Sequence, residues 1–239
     1  MRVFVHTIHK AGSTFLHRYF KEMASLVGCE YFSINNHPPN ESEWAARGGD
    51  CIVGPLRIVD EITKVPAESI NVVHLRDPID VLISQYFSFG WTHTLNSRNA
   101  DFLAKRREVI RSKSLDQYCI EDHAEVLKKF EIIRDGLGQL PNVVRSSYSG
   151  MHGSFAKWNA DMVAAVVGRA DDTITKALRS RFAREFGLMG RILSFRDTHR
   201  RDGRCGQKER YLKRETIVCL DRQMLAAATL FESFECVGK

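Results

Sequence analysis

The first twenty residues constrain the fold more than any others. Residues 2–6 (R-V-F-V-H) have the β-branched and aromatic content of a short buried strand, and from Ser13 the apolar residues Phe15, Leu16, Tyr19, Phe20 and Met23 recur at helical spacing. The connecting loop holds Lys10, Ala11, Gly12, Ser13 and Thr14. Gly12 can take backbone angles closed to other residues, and the N–H groups that open a helix direct partial positive charge at whatever precedes it. Strand, tight loop and helix in that order make an anion site. Lys10 adds a mobile positive charge, and the Ser13 and Thr14 hydroxyls can cap the helix or bind the same anion. The ligand that suits these groups is a phosphate or sulfate ester. A capped helix start beside a solvated lysine is the alternative these residues leave open.

The same alternation continues along the chain. Short strands are expected at residues 30–34, 50–53, 70–75 and 142–146. Helices are expected at 78–90, 98–113, 115–136, 155–167, 172–186 and 214–234, with a short one at 59–64. The opening helix should end near Gly28. Residues 35–49 and the basic segment 194–210 read as irregular. Strands alternating with helices predict a three-layer α/β fold around a mainly parallel sheet. With 239 residues and 44% hydrophobic content, one domain covering 1–239 is expected.

Other classes are disfavoured. No run of eighteen apolar residues or secretory leader is visible, which points to a cytoplasmic protein or a trimmed chain. The six cysteines form no C-x-x-C pair, so structural zinc is not expected. A formal charge of +6 fits nucleic acid, an anionic membrane surface or a small polyanion, and chooses none of them. The basic residues Lys105, Arg106, Arg107, Arg111 and Lys113 read as a solvated helix face, because no aromatic residues interleave to stack on bases.

A second anchor is H-L-R-D-P-I-D-V-L-I-S-Q-Y-F-S-F. It sets Arg76 at the carboxyl end of a strand and Ser84 about two helical turns on. Ligands of open α/β sheets collect beyond such strand ends, so Arg76 should share a crevice with the Lys10 loop. An arginine fork and a serine hydroxyl together suit a phosphate.

In K-A-G-S-T-F-L the lysine precedes the glycine by two residues, which is not the Walker spacing. The stretch resembles the 5′-phosphosulfate loop of sulfotransferases that use 3′-phosphoadenosine 5′-phosphosulfate (PAPS). The second anchor resembles that family's 3′-phosphate motif, R-D-P-x-D-x-x-x-S-x-Y-x-x-F, matched by Arg76, Asp77, Pro78, Asp80, Ser84, Tyr86 and Phe89. Near the end, R-D-G-R-C-G is similar to the family's R-K-G-x-x-G segment, a loop over the 3′-phosphate; Arg201, Gly203 and Gly206 match, and Asp202 replaces a basic residue. Tyr148 stands where the family commonly has an aromatic residue against adenine, and Phe15 offers a second apolar wall; core packing explains either ring equally well.

The resemblance implies a P-loop-like fold and transfer of a sulfuryl group from PAPS to a hydroxyl or amine, leaving adenosine 3′,5′-bisphosphate (PAP). It implies Lys10 at the bridging oxygen, the backbone of Ala11, Gly12, Ser13 and Thr14 at the 5′-phosphate, and no metal. The base is open. Many members carry a histidine about twenty-two residues before the arginine, where this chain has Gly54. Others use a glutamate, for which Glu30 is the candidate; His37 competes, and Asp60, Glu61 and His93 remain. The acceptor is left open among small molecules, carbohydrates and peptides, as is the oligomeric state. No nucleic-acid or membrane partner is expected. A magnesium-dependent nucleotide kinase and a non-catalytic binder of nucleotides or anionic glycans are the competing readings.

Overall fold

The structure, a computed structural model, describes residues 1–33, 49–58, 65–92, 100–186 and 205–235. Five strands form one sheet: β1 (Arg2–Thr7), β2 (Glu30–Phe32), β3 (Cys51–Arg57), β4 (Ile70–Leu75) and β5 (Val143–Ser147). Their order is β2-β3-β1-β4-β5 and every neighbouring pair is parallel. The expected α/β architecture is therefore present, with all described strands parallel.

Helices cover both faces. On one lie α1 (Ser13–Val27) and, later in the chain, α5 (Tyr148–Gly153), α6 (Phe155–Val167) and α7 (Asp172–Phe186). On the other lie α2 (Pro78–Phe87), α3 (Ala100–Arg111), α4 (Leu115–Leu137), α9 (Arg214–Gln223) and α10 (Leu225–Glu235), with the short α8 (Lys208–Tyr211) between. Strand alternation sorts the core: Val3, Val5 and Val72 face the α1 side, while Val73 and Leu75 face the α2 side. Continuous apolar strands are what a sheet covered on both faces requires.

Several boundaries depart from the sequence expectation. Strand β3 runs on through Gly54 and Pro55 to Arg57, with a register shift against β1 between Phe4 and His6. Proline lacks a ladder donor, but β2 pairs with Cys51 to Val53 only, so among the described residues that side of β3 carries no partner strand at Pro55. The helix expected over 78–90 stops at Phe87 and continues as a π-helical turn, Ser88–Thr92. The helix expected over 214–234 is two helices separated at Met224, and α5 was not expected. The short helix at 59–64 and most of the irregular segments 35–49 and 194–210 lie outside the described residues.

The basic helix is also different from its expected role. Arg107 Nε donates to the carbonyl of Phe89 at 3.2 Å and Arg111 Nε to that of Gly90 at 2.7 Å. The Arg106 guanidinium lies 4.5 Å from the Phe89 ring centroid while bonding Glu125 at 2.8 Å. These arginines are not simply solvated: they clasp the π turn, whose carbonyls lack the regular α-helical partners.

Candidate active site

The chain reverses direction across the sheet at β1, and the strand ends Thr7, Arg57, Leu75 and Ser147 open onto one crevice. Into it points the start of α1. Gly12 caps this helix in the left-handed region (φ 84°), with no side-chain cap and no acidic residue in the first turn. Leu16 N bonds Gly12 O at 3.0 Å, and the N–H groups before it belong to the first turn, which a helix leaves for an outside acceptor. Lys10 is itself left-handed (φ 70°), a strained conformation for a residue with a Cβ and one that structures retain mostly at functional sites.

Arg76 shapes this loop from the neighbouring strand. Its Nη1 donates to the Lys10 carbonyl at 3.2 Å, and its guanidinium lies 4.4 Å from the ring centroid of Tyr148, at the end of β5. The motif's other residues now have local reasons. Asp77 caps α2, accepting from the N–H groups of Ile79 and Asp80 at 2.9 Å each, and Pro78 occupies the first helical position, where no N–H is missed. The buried Asp80 carboxylate accepts from Gly206 N at 3.0 Å and Gln207 N at 2.7 Å. Burial raises its pKa to about 6 despite nearby Arg76. Asp80 thus ties the end of the glycine-bearing basic segment to α2, which begins just after Arg76. Ser84 lies half-buried farther along α2.

The Lys10 ammonium donates to the Ser88 hydroxyl on the π turn and sits 5.6 Å from the Phe89 ring centroid. Burial first, then the charges of Arg57 and Arg76, lower its pKa to about 8. Arg57, missed in the sequence, ends β3; its Nη2 is 3.4 Å from Ser13 Oγ, and its buried Nε has no hydrogen-bond partner among the described residues. Ending the third strand at Val53 hid it. The register that pairs Thr7 with Arg57 is what brings it to the loop.

The structure thus brings Lys10, Ala11, Gly12, Ser13, Thr14, Arg76 and Tyr148 to one crevice. Phe15 is not an open wall for a base: it is buried among Tyr19, Phe155, Trp158, Phe182 and Phe186, at centroid distances of 5.0 to 6.1 Å. The Tyr148 ring is flanked by Arg76 and by His152, 4.3 Å away. Glu30 is not brought to the loop, which corrects the expectation for the base. It is exposed at the first position of β2, level through Cys51 with Arg2 at the amino end of β1. Lys10 lies past the other end, roughly 17 Å away at the ~3.3 Å rise of a parallel strand. His37, Arg201, Gly203, Asp60, Glu61 and His93 lie outside the described residues. Among the described residues no cluster of three or more His, Cys, Asp or Glu could hold a metal.

Gly12 approaches Tyr148 so closely that an added Cβ would lie 3.1 Å from Cε2 and 3.2 Å from Cδ2. Gly12→Ala should therefore cost about 1–3 kcal/mol of stability, from crowding and the left-handed backbone together. Urea unfolding measures this, and an unchanged midpoint would contradict the close packing of loop and ring.

No protein-family model and no curated protein sequence matches the chain. Solved structures do. A mouse sulfotransferase, SULT7A1, complexed with PAP superposes with a TM-score of 0.63 at 15% identity, over 99% of this chain and 87% of that one. A retinol dehydratase in complex with retinol and PAP gives 0.58 at 13% identity, over 95% and 80%. The chain has the fold of the PAPS-dependent sulfotransferases.

Proposed function

We propose that this chain is a PAPS-dependent sulfotransferase, moving a sulfuryl group to a hydroxyl or amine of its acceptor. The observation that carries the reading is the convergence of Lys10, the start of α1 and Arg76 on one crevice, within a fold whose similar structures hold PAP. The opening N–H groups of α1, with Ser13 and Thr14, bind the 5′-phosphate. Arg76 and Ser84 bind the 3′-phosphate. The anchorage of Gly206 and Gln207 on Asp80 supports a place for Arg201 and Gly203 over that phosphate. Lys10 neutralises the bridging oxygen as its bond to sulfur breaks, stabilising the leaving group electrostatically. Three cations and a helix terminus balance the nucleotide's charge, so the transfer runs without magnesium, unlike a kinase reaction.

The test is direct. The protein should bind PAP equally well with and without EDTA and transfer labelled sulfate from PAPS to members of an acceptor panel. Arg76→Ala and Ser84→Ala should each weaken PAP binding, Arg76→Ala by at least tenfold, since a charge-assisted bond contributes about 1.5–3 kcal/mol. Unchanged affinity in both variants would remove the 3′-phosphate assignment, and an EDTA-sensitive preference for ATP would favour the kinase reading.

A further inference from the structure

We propose that His9 is the base that takes the acceptor's proton, an inference that rests on the sulfotransferase reading and deepens it. In-line transfer needs a cation at the leaving oxygen and a proton acceptor on the opposite side of the same sulfur. Lys10 meets the first need. For the second, Glu30 lies at the far edge of the sheet, and Gly54 stands where many sulfotransferases carry a histidine.

His9 immediately precedes Lys10 and is half-buried. Its ring stacks on Phe89, with centroids 5.2 Å apart and planes 14° from parallel, and the Lys10 ammonium is 5.6 Å from that same Phe89 centroid. An O···S···O array with a hydrogen bond at each end spans roughly 9–10 Å. Two groups gathered on one phenyl ring are close enough to serve its two ends. The other described histidines are placed elsewhere: His6 and His74 are sealed in the sheet, His17 bonds Tyr31, His123 bonds the Ile120 carbonyl of α4, and His152 stacks on Tyr148 beside Arg76. Among the described residues, the charged groups packed on Phe89 include Lys10 from the loop and Arg106 and Arg107 from α3, with Glu125 of α4 behind Arg106. An imidazole exchanges a proton near neutral pH, which the arginines do not, and Lys10 is needed protonated at the leaving oxygen.

The step balances. The acceptor O–H gives its proton to His9, and the oxygen's lone pair forms the new O–S bond. The S–O bond to the 5′-phosphate breaks, and its electron pair stays on the phosphate oxygen facing Lys10. The products are the sulfate ester, PAP and an imidazolium that returns its proton to solvent.

His9→Gln and His9→Phe separate base from packing, because phenylalanine keeps the stack on Phe89 and cannot take a proton. With 35S-labelled PAPS and whichever phenols, sterols, sugars or tyrosine peptides the wild type sulfates, both variants should lose about 10²–10⁴ in kcat. Both should bind PAP within about threefold of the wild type, the spread expected where no nucleotide contact is lost. The acid limb of the wild-type rate profile should be missing from their residual activity. A near-wild-type rate in His9→Phe would reduce His9 to a stacking residue and overturn the proposal, as would loss of PAP binding in step with rate. Failure of the wild type itself to bind PAP is a separate measurement and overturns the sulfotransferase reading instead.

Discussion

Lys10→Ala should lose about 10²–10³ in kcat, as removal of one preorganised donor at a developing anion does, and should melt no lower than the wild type. The second half of that expectation follows from the crowding of cations in the crevice. Burial with Arg57 and Arg76 brings the lysine's pKa from 10.5 to about 8, so the empty fold holds the ammonium less readily than the unfolded chain does. Below pH 8 the protonated lysine therefore lowers stability, by at most about 3.5 kcal/mol at about 1.4 kcal/mol per pH unit. That cost fades as pH rises from 8 towards 10.5. Removing the amine at pH 7 relieves it. A bound polyanion relieves it too, so PAP should protect the wild type more strongly at pH 7 than at pH 9.5, and the alanine variant should lack that pH dependence. Kinetics and melting on the same preparations decide the point. A variant that keeps its rate, or whose lost rate tracks a lost fold, would refute the electrostatic role.

The second large effect is acid destabilisation from two histidines inside the sheet. His6, on β1, bonds Asn71 Oδ1 at 3.0 Å through Nε2 and has no partner at Nδ1 among the described residues. His74, on β4, is 2.7 Å from Ser146 Oγ through Nδ1 and has none at Nε2. Burial lowers their pKa values to about 4 and about 3. Both are neutral in the fold and charge at ~6.5 when unfolded, so the stability from neutral burial is complete above pH 6.5 and is lost as pH falls towards 4 and 3. Each should cost about 3 kcal/mol by pH 4, together a large share of the 5–15 kcal/mol that holds a typical domain. Asp80 acts in the opposite sense: its raised value of about 6 means its burial cost is relieved by protonation, offsetting part of the loss. Denaturant titrations between pH 7 and 4.5 should show stability falling steeply in the wild type and less steeply in His6→Asn with His74→Gln. A flat wild-type curve would refute neutral burial of both rings.

The sequence revealed those parts of the molecule that local chemistry controls. The strand–loop–helix opening and the end of α1 at Gly28 follow from residues a few positions apart, whereas the Asp77 cap on α2 and the glycine that ends α6 were not expected from the sequence. Lys10 and Arg76 were legible because each sits where a strand meets a helix. What stayed hidden depends on register between distant segments. Arg57 reaches the loop because β3 continues past a proline that a single-sequence reading takes as a stop. Glu30 was misplaced for the same reason, since only the pairing of β2 with β3 shows which end of the sheet it occupies. Asp80 looked like a motif position and proves to be a tether for backbone 126 residues away.

The π turn at Ser88–Thr92 bears on how activity can be adjusted. Ser88 accepts from the Lys10 ammonium, yet the turn bearing it is suspended from Arg107 and Arg111 on a separate helix. Drift along α3 can therefore retune the ammonium's setting and leave the start of α1 unaltered. In a sulfotransferase of the proposed kind, an outer helix would then set the rate, at positions where sequence comparison alone would register only surface change.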